Sequence, residues 1–174
     1  NTILDVFEDE KGNIWTALDN GVSYINLNSS IKVFSDQSGE IGSIYAAAAH
    51  DGLLYLGTNQ GLFYRRLDTD DKFKFVEGTQ GQVWFLEVLD DELFCGHHTG
   101  TLKIDQNKIN RIASIQGTWQ IRQLEDNKWL QGNYDGLYVM TNDESQWNVS
   151  KIEGFDNSAR HFEFQNQKIF VNHE

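Results

Sequence analysis

Apolar residues along this chain fall in short runs broken by polar turns, and the stretch Leu53–Arg66 shows the unit most plainly. The run Leu53-Leu54-Tyr55-Leu56 meets Gly57, three polar residues lead to Gly61, and Leu62-Phe63-Tyr64 follows. Short apolar runs joined by a glycine-bearing turn predict a β-hairpin. The pattern returns as Ile14-Trp15, Ala17 and Gly21-Val22; as Leu93-Phe94, Gly96 and Gly100-Thr101; as Trp129-Leu130, Gly132 and Gly136-Leu137; and, cut short, as Ile169-Phe170 and Asn172. Counted on the second residue of each apolar pair, the steps from Trp15 to Tyr55, Phe94, Leu130 and Phe170 are 40, 39, 36 and 40 residues. Periods of this size belong to solenoids and propellers.

Two further strands accompany each hairpin. Upstream lies an apolar-rich strand running into an acidic or amide turn: Leu4–Phe7, Ile44–Ala49, Val83–Leu89, Ile121–Leu124 and Phe162–Phe164. Downstream lies a shorter one: Ile31–Phe34, Phe73–Val76, Ile109–Ile115 and Trp147–Ile152. Four strands and no helix per unit predict an all-β chain, a β-propeller segment of four-stranded blades. About four and a half repeats are expected, over 3–42, 43–81, 82–117, 118–157 and a partial 158–174. A linear β-solenoid is the structural alternative, but it needs coils shorter than about 40 residues.

Gly57, Gly96 and Gly132 fall inside a strand, where glycine is normally avoided. The first copy has Ala17 there, so a demand for small size where blades approach closely explains the position better than a turn does. Proline is absent, and no strand loses a hydrogen-bond donor to it. Because the chain begins inside a strand and ends inside a repeat, it reads as a single propeller segment excised from a longer protein. Four and a half blades do not close a seven-bladed ring. The expectation is an open arc, a small ring completed by the terminal strand, or self-association of two copies through open edges.

Composition narrows the function. At 174 residues, 39% hydrophobic and 13% aromatic, the chain can bury a core. With 26 acidic against 14 basic residues the net charge is −12, which argues against nucleic acid, because a duplex binder needs a basic patch to release counterions. Repulsion from an acidic membrane surface follows from the same charge. One cysteine, Cys95, permits no intramolecular disulfide, so cysteine usage assigns no compartment. No apolar run approaches bilayer length, and the acidic opening NTILDVFEDE does not match a signal peptide.

The phrase from Glu8 to Tyr24, EDEKGNIWTALDNGVSY, resembles the two-component regulator propeller repeat: an acidic turn, G-N-[IL]-W, a small residue, a polar turn and G-[VL]. Leu54-Tyr55-Leu56-Gly57-Thr58-Asn59-Gln60-Gly61-Leu62 fits equally well. Later copies drift, with Phe94 at the aromatic position, Thr101 after the second glycine, and the order swapped in Trp129-Leu130. WD40 repeats do not fit, since no Trp is followed by Asp. The resemblance implies the extracytoplasmic, periplasmic sensor of a Bacteroidetes-type membrane-bound regulator. In such proteins a downstream immunoglobulin-like domain and membrane helix lead to a histidine kinase or a LuxR-type DNA-binding output. It also implies an oligosaccharide or other small-molecule ligand.

Counting back from each apolar pair places Tyr45, Trp84, Gln120 and Arg160 at equivalent positions near the start of the first strand of units two to five. In a propeller these strands line the channel and their starts form one mouth. Aromatic, amide and guanidinium groups there suit a sugar, by stacking on ring faces and bonding hydroxyls or a carboxylate. The competing assignment is ordinary blade packing. Arg122, two residues further along, adds positive charge that invites an anionic ligand; the competing assignment is a salt bridge to Glu87 or Glu163 of adjacent blades.

Cys95, His97 and His98 resemble part of a metal site, yet no second cysteine or spaced histidine pair completes a tetrahedron, and His173 matches His97 only two blades away. The acidic groups Asp68–Asp71 and Asp90–Glu92 lack the spacing of a calcium loop. No nucleophile elbow occurs, and His50 and His161 have no evident catalytic partner. No cofactor is expected. Binding without turnover is the leading expectation. A propeller lyase or glycosidase would require paired carboxylates, for which the first strands offer Asp5, Glu87 and Glu163. A protein-binding scaffold would instead show an exposed apolar patch.

Overall fold

The computed structural model describes residues 2–31, 39–143, 146–166 and 168–173. Among these residues there are seventeen β-strands and no helix. The strands form antiparallel meanders that follow the repeats, each strand pairing with the next in sequence. The first sheet holds β1 (Ile3–Glu8), β2 (Ile14–Leu18) and β3 (Gly21–Ile25). The second holds β4 (Ile44–His50), β5 (Leu53–Thr58), β6 (Leu62–Arg66) and the short β7 (Lys74–Phe75). The third holds β8 (Val83–Leu89), β9 (Glu92–His97), β10 (Gly100–Asp105) and β11 (Lys108–Ala113). The fourth holds β12 (Gln120–Glu125), β13 (Lys128–Asn133), β14 (Gly136–Asp143) and β15 (Gln146–Lys151), and the fifth β16 (His161–Gln165) and β17 (Lys168–Asn172). The strand expected at Ile31–Phe34 lies, beyond Ile31, outside the described residues.

The chain divides into two compact units, residues 1–37 and 38–174. In the second, sheets two to five stack face against face, the blade arrangement of a β-propeller. Each gap between blades holds its own core. Tyr55, Leu62, Val83, Leu93, Cys95 and Leu102 fill the first gap; Phe94, Ile121, Trp129 and Met140 the next; Leu130, Leu137, Ala159 and Phe162 the last. Side chains alternate across a strand. On β9 Leu93 and Cys95 therefore enter one core and Phe94 the other. That is why the second strand of each copy is a continuous apolar run instead of an alternating one.

The two recurring glycines have different causes. A Cβ at Gly96 would strike the Thr118 carbonyl oxygen of the next blade and lie 2.9 Å from Phe85 Cβ; one at Gly132 would strike the Ala159 carbonyl oxygen. Gly57 faces the Val83 side chain in the same way. These positions are small because blades touch there. The second glycine, Gly21, Gly61, Gly100 or Gly136, has φ between 147° and 150°, a backbone that other residues resist.

In the first unit, Asp9 organises the acidic turn. Its carboxylate accepts the backbone N–H groups of Lys11 and Asn13, each at 2.9 Å, and the Trp15 indole N–H at 3.0 Å. The Asn13 bond leads in holding the Asp9 carboxyl down at about 2, with the Trp15 bond next. The acidic turn, Asn and Trp of the repeat phrase are thus one hydrogen-bonded device.

Candidate functional site

Each first strand in the second unit pairs with its neighbour at the position where the hairpin carries glycine in blades two to four and Asn172 in blade five. The partners are Ala46 with Gly57, Phe85 with Gly96, Gln120 with Gly132, and His161 with Asn172. The residues immediately before these partners are Tyr45, Trp84, Trp119 and Arg160. In β4 and β8 the register shifts there, so Tyr45 and Trp84 sit on bulges that swing them out of the ladder of pairs.

Trp119 is anchored from both sides. Its backbone N–H donates to Gly132 O at 2.9 Å, and the preceding Thr118 lies in a buried network with Thr101, Gln131 and Asn133. Before Arg160, Ala159 is fully buried, and its N–H donates to Asn133 O at 2.9 Å.

These four side chains form a ladder across four blades. Ring centroids lie 4.9 Å apart for Tyr45 and Trp84 and 4.5 Å for Trp84 and Trp119, and the Arg160 guanidinium carbon sits 4.7 Å over the Trp119 ring. Tyr134, from the turn between β13 and β14, packs 5.4 Å from Trp119, and its hydroxyl accepts the Trp84 indole N–H at 2.9 Å. The indole N–H of Trp119 is shielded and meets no acceptor among the described residues. Tyr45, Tyr134 and Arg160 are exposed, and Trp84 and Trp119 half-buried.

The structure brings together Tyr45, Trp84 and Arg160 and adds Trp119 and Tyr134. Gln120 goes elsewhere: it is buried, and its Oε1 accepts the Phe162 N–H at 2.8 Å, stitching blade four to blade five. The displacement by one residue has a local cause. Gln123 pairs with Trp129 and Glu125 with Lys128, so a bulge at Leu124 lengthens the first strand of blade four by one residue. Spacing from Leu130 then lands on Gln120 instead of Trp119. Tyr134 was visible in the sequence only as an aromatic where other copies carry polar turn residues.

Arg122 forms the salt bridge that competed with ligand binding. Its guanidinium reaches Glu163 at 3.1 Å and Glu87 at 3.8 Å, bridging three blades. Glu87 and Glu163, on the first strands of blades three and five, thus face one cation. Cys95 is sealed in the core, its thiol pushed up to about 12 by burial. His97 Nδ1 lies 2.8 Å from the Thr99 hydroxyl, and His173 packs on Phe155. Among the described residues no three His, Cys, Asp or Glu side chains group as a metal site. A hollow of about 480 Å³ in the first unit is lined by Asp9, Asn13, Trp15 and Tyr24, but the Asp9 oxygens there already serve the turn.

No family model matches the sequence, and no curated protein does. Solved structures do. The extracellular domain of BT3049 from B. thetaiotaomicron, described as a hybrid two-component system, superposes with a TM-score of 0.62 at 18% identity, over 99% of this chain and 26% of that one. The extracellular domain of BT4673 from the same organism, described likewise, gives 0.62 at 17% identity, over 99% and 25%. The computationally designed Ika8 protein gives 0.57 at 14%, over 94% and 53%. At these identities the likeness is one of fold. The chain spans about a quarter of the length of the two extracellular domains it matches. No helix of the described residues is long and apolar enough to cross a membrane.

Proposed function

We propose that this chain is a ligand-sensing propeller segment in the periplasmic part of a membrane-bound bacterial signal-transduction or transcription regulator. It would be of the two-component regulator propeller repeat type and act by binding an oligosaccharide-like ligand. The fold shared with the extracellular domains of two Bacteroides regulators supports the sensor context. The observation that carries the binding role is the ladder of Tyr45, Trp84, Trp119 and Arg160, with the Tyr134 hydroxyl beside it. Aromatic rings offer apolar surface to a sugar while hydroxyl and guanidinium groups bond its oxygens. Ligand occupancy would favour one arrangement of the blades and pass that bias to a downstream domain.

Exposed Ile3, Phe7, Val22 and Tyr24 on the first blade fit further blades of a longer chain or a second copy as partners. Isothermal titration of oligosaccharides into this chain tests the reading. Binding that weakens by about tenfold or more in Trp119→Ala supports it. Absence of binding across a broad panel rejects it.

A further inference from the structure

Two tiers of side chains follow the three first strands of blades three to five, the upper at or just before the strand starts and the lower within the strands. Trp84, Trp119 and Arg160 make the upper tier; three residues further along each strand stand Glu87, Arg122 and Glu163. The tiers are thus about 10 Å apart along the strands. We infer, resting on the ladder as the binding site, that the ligand is a neutral oligosaccharide and not one carrying carboxylate or sulfate groups.

The charge balance of the lower tier argues for this. Arg122 is the cation that would meet an acidic sugar there, and it is spent on Glu163 at 3.1 Å and Glu87 at 3.8 Å. One guanidinium against two carboxylates leaves the tier with net negative charge, and Glu163 is 75% exposed, toward an arriving ligand's solvent. An anion therefore meets repulsion at short range. At long range it meets the net charge of −12. In the upper tier the Arg160 guanidinium lies over the Trp119 ring, where the cation is stabilised by the π face.

Apart from the Arg160 guanidinium, the groups on offer in the ladder are neutral. The Tyr134 hydroxyl accepts from Trp84 and keeps its own proton to donate to a sugar oxygen. Tyr45 is 49% exposed and presents ring surface at the ladder's end. Ring spacings of 4.5 and 4.9 Å leave no room for a sugar between rungs, so the saccharide lies along the ladder.

The test titrates this chain, by calorimetry and tryptophan fluorescence, with neutral xylo- and gluco-oligosaccharides and with galacturonate and sulfated oligosaccharides, each at low and high salt. Expected is binding of a neutral sugar that changes by less than about twofold with salt. Anionic sugars should bind at least about tenfold more weakly at low salt. Tyr45→Ala, an exposed position, should weaken the neutral sugar by about tenfold with an unchanged melting temperature. Tightest binding to an anionic sugar, weakened by salt and by Tyr45→Ala, overturns the neutral assignment and leaves the ladder as the site. Binding unaffected by both Tyr45→Ala and Trp84→Phe, or none by either sugar class, overturns the ladder itself.

Discussion

The first and third blades carry the same repeat and meet different surroundings. Trp15 and Phe94 each stand two residues ahead of the small residue of their hairpin, yet Phe94 is fully buried and Trp15 is 40% exposed. The third blade has a core on each face, with Leu93 and Cys95 on one side and Phe94 on the other. The first blade keeps its hairpin through local bonds around Asp9. A hairpin is specified locally, but its stabilisation comes from what stacks against it.

The largest contrast should come from truncating the two equivalent aromatics. Phe94→Ala is expected to lower the unfolding free energy by about 3–5 kcal/mol, and Trp15→Ala by less than about 1 kcal/mol. Urea denaturation of both variants measures the gap, and equal losses would show that the first blade is packed as tightly as the third.

Acid separates the blades next. Burial, with His98 beside it, pulls the His97 imidazole of the third blade down from 6.5 to about 4. The unfolded chain takes up this proton near 6.5 while the folded protein resists it to about 4. Stability from this group is therefore complete above the upper value and falls by up to about 3 kcal/mol across the window. His97→Gln should flatten that segment of a stability-against-pH curve; an unchanged slope rejects the assignment.

Smaller effects sharpen the comparison at the backbone. Gly96→Ala drives a methyl toward Thr118 and should cost about 1–3 kcal/mol. Ala17→Gly, at the same repeat position in the first blade, should cost only about 0.5–1 kcal/mol through added chain freedom. Thermal melts of the pair would contradict the close-approach reading if the two shifts matched. Smallest, Asp90 and Asp91 turn between β8 and β9 at φ 50° and 59°, whereas the matching turn of the second blade is Asp51-Gly52. Asp91→Gly should stabilise by up to about 1 kcal/mol, read as a small rise in melting temperature.

The repeats, the hairpins and the first strands were legible because both-face burial writes long apolar runs, and the second glycine marks a backbone only glycine tolerates. Three members of the ladder, Tyr45, Trp84 and Arg160, were legible by spacing alone. Trp119 was not, because the bulge at Leu124 adds one residue that no side-chain pattern announces. For Arg122 the sequence leaves both a ligand contact and a salt bridge open, and the distances to Glu87 and Glu163 show the salt bridge.

By itself the sequence determined the period, the four-stranded unit, the places where blades demand a small residue and the acidic character of the chain. These depend on neighbours within one repeat or on composition. Tertiary structure decided which side chains from different blades share a surface. Trp84, Trp119 and Arg160 are separated by 35 and 41 residues along the chain. Whether such residues stack depends on blade registers, and a single bulge shifts a register by one position and exchanges a half-buried ladder residue for a buried stitch.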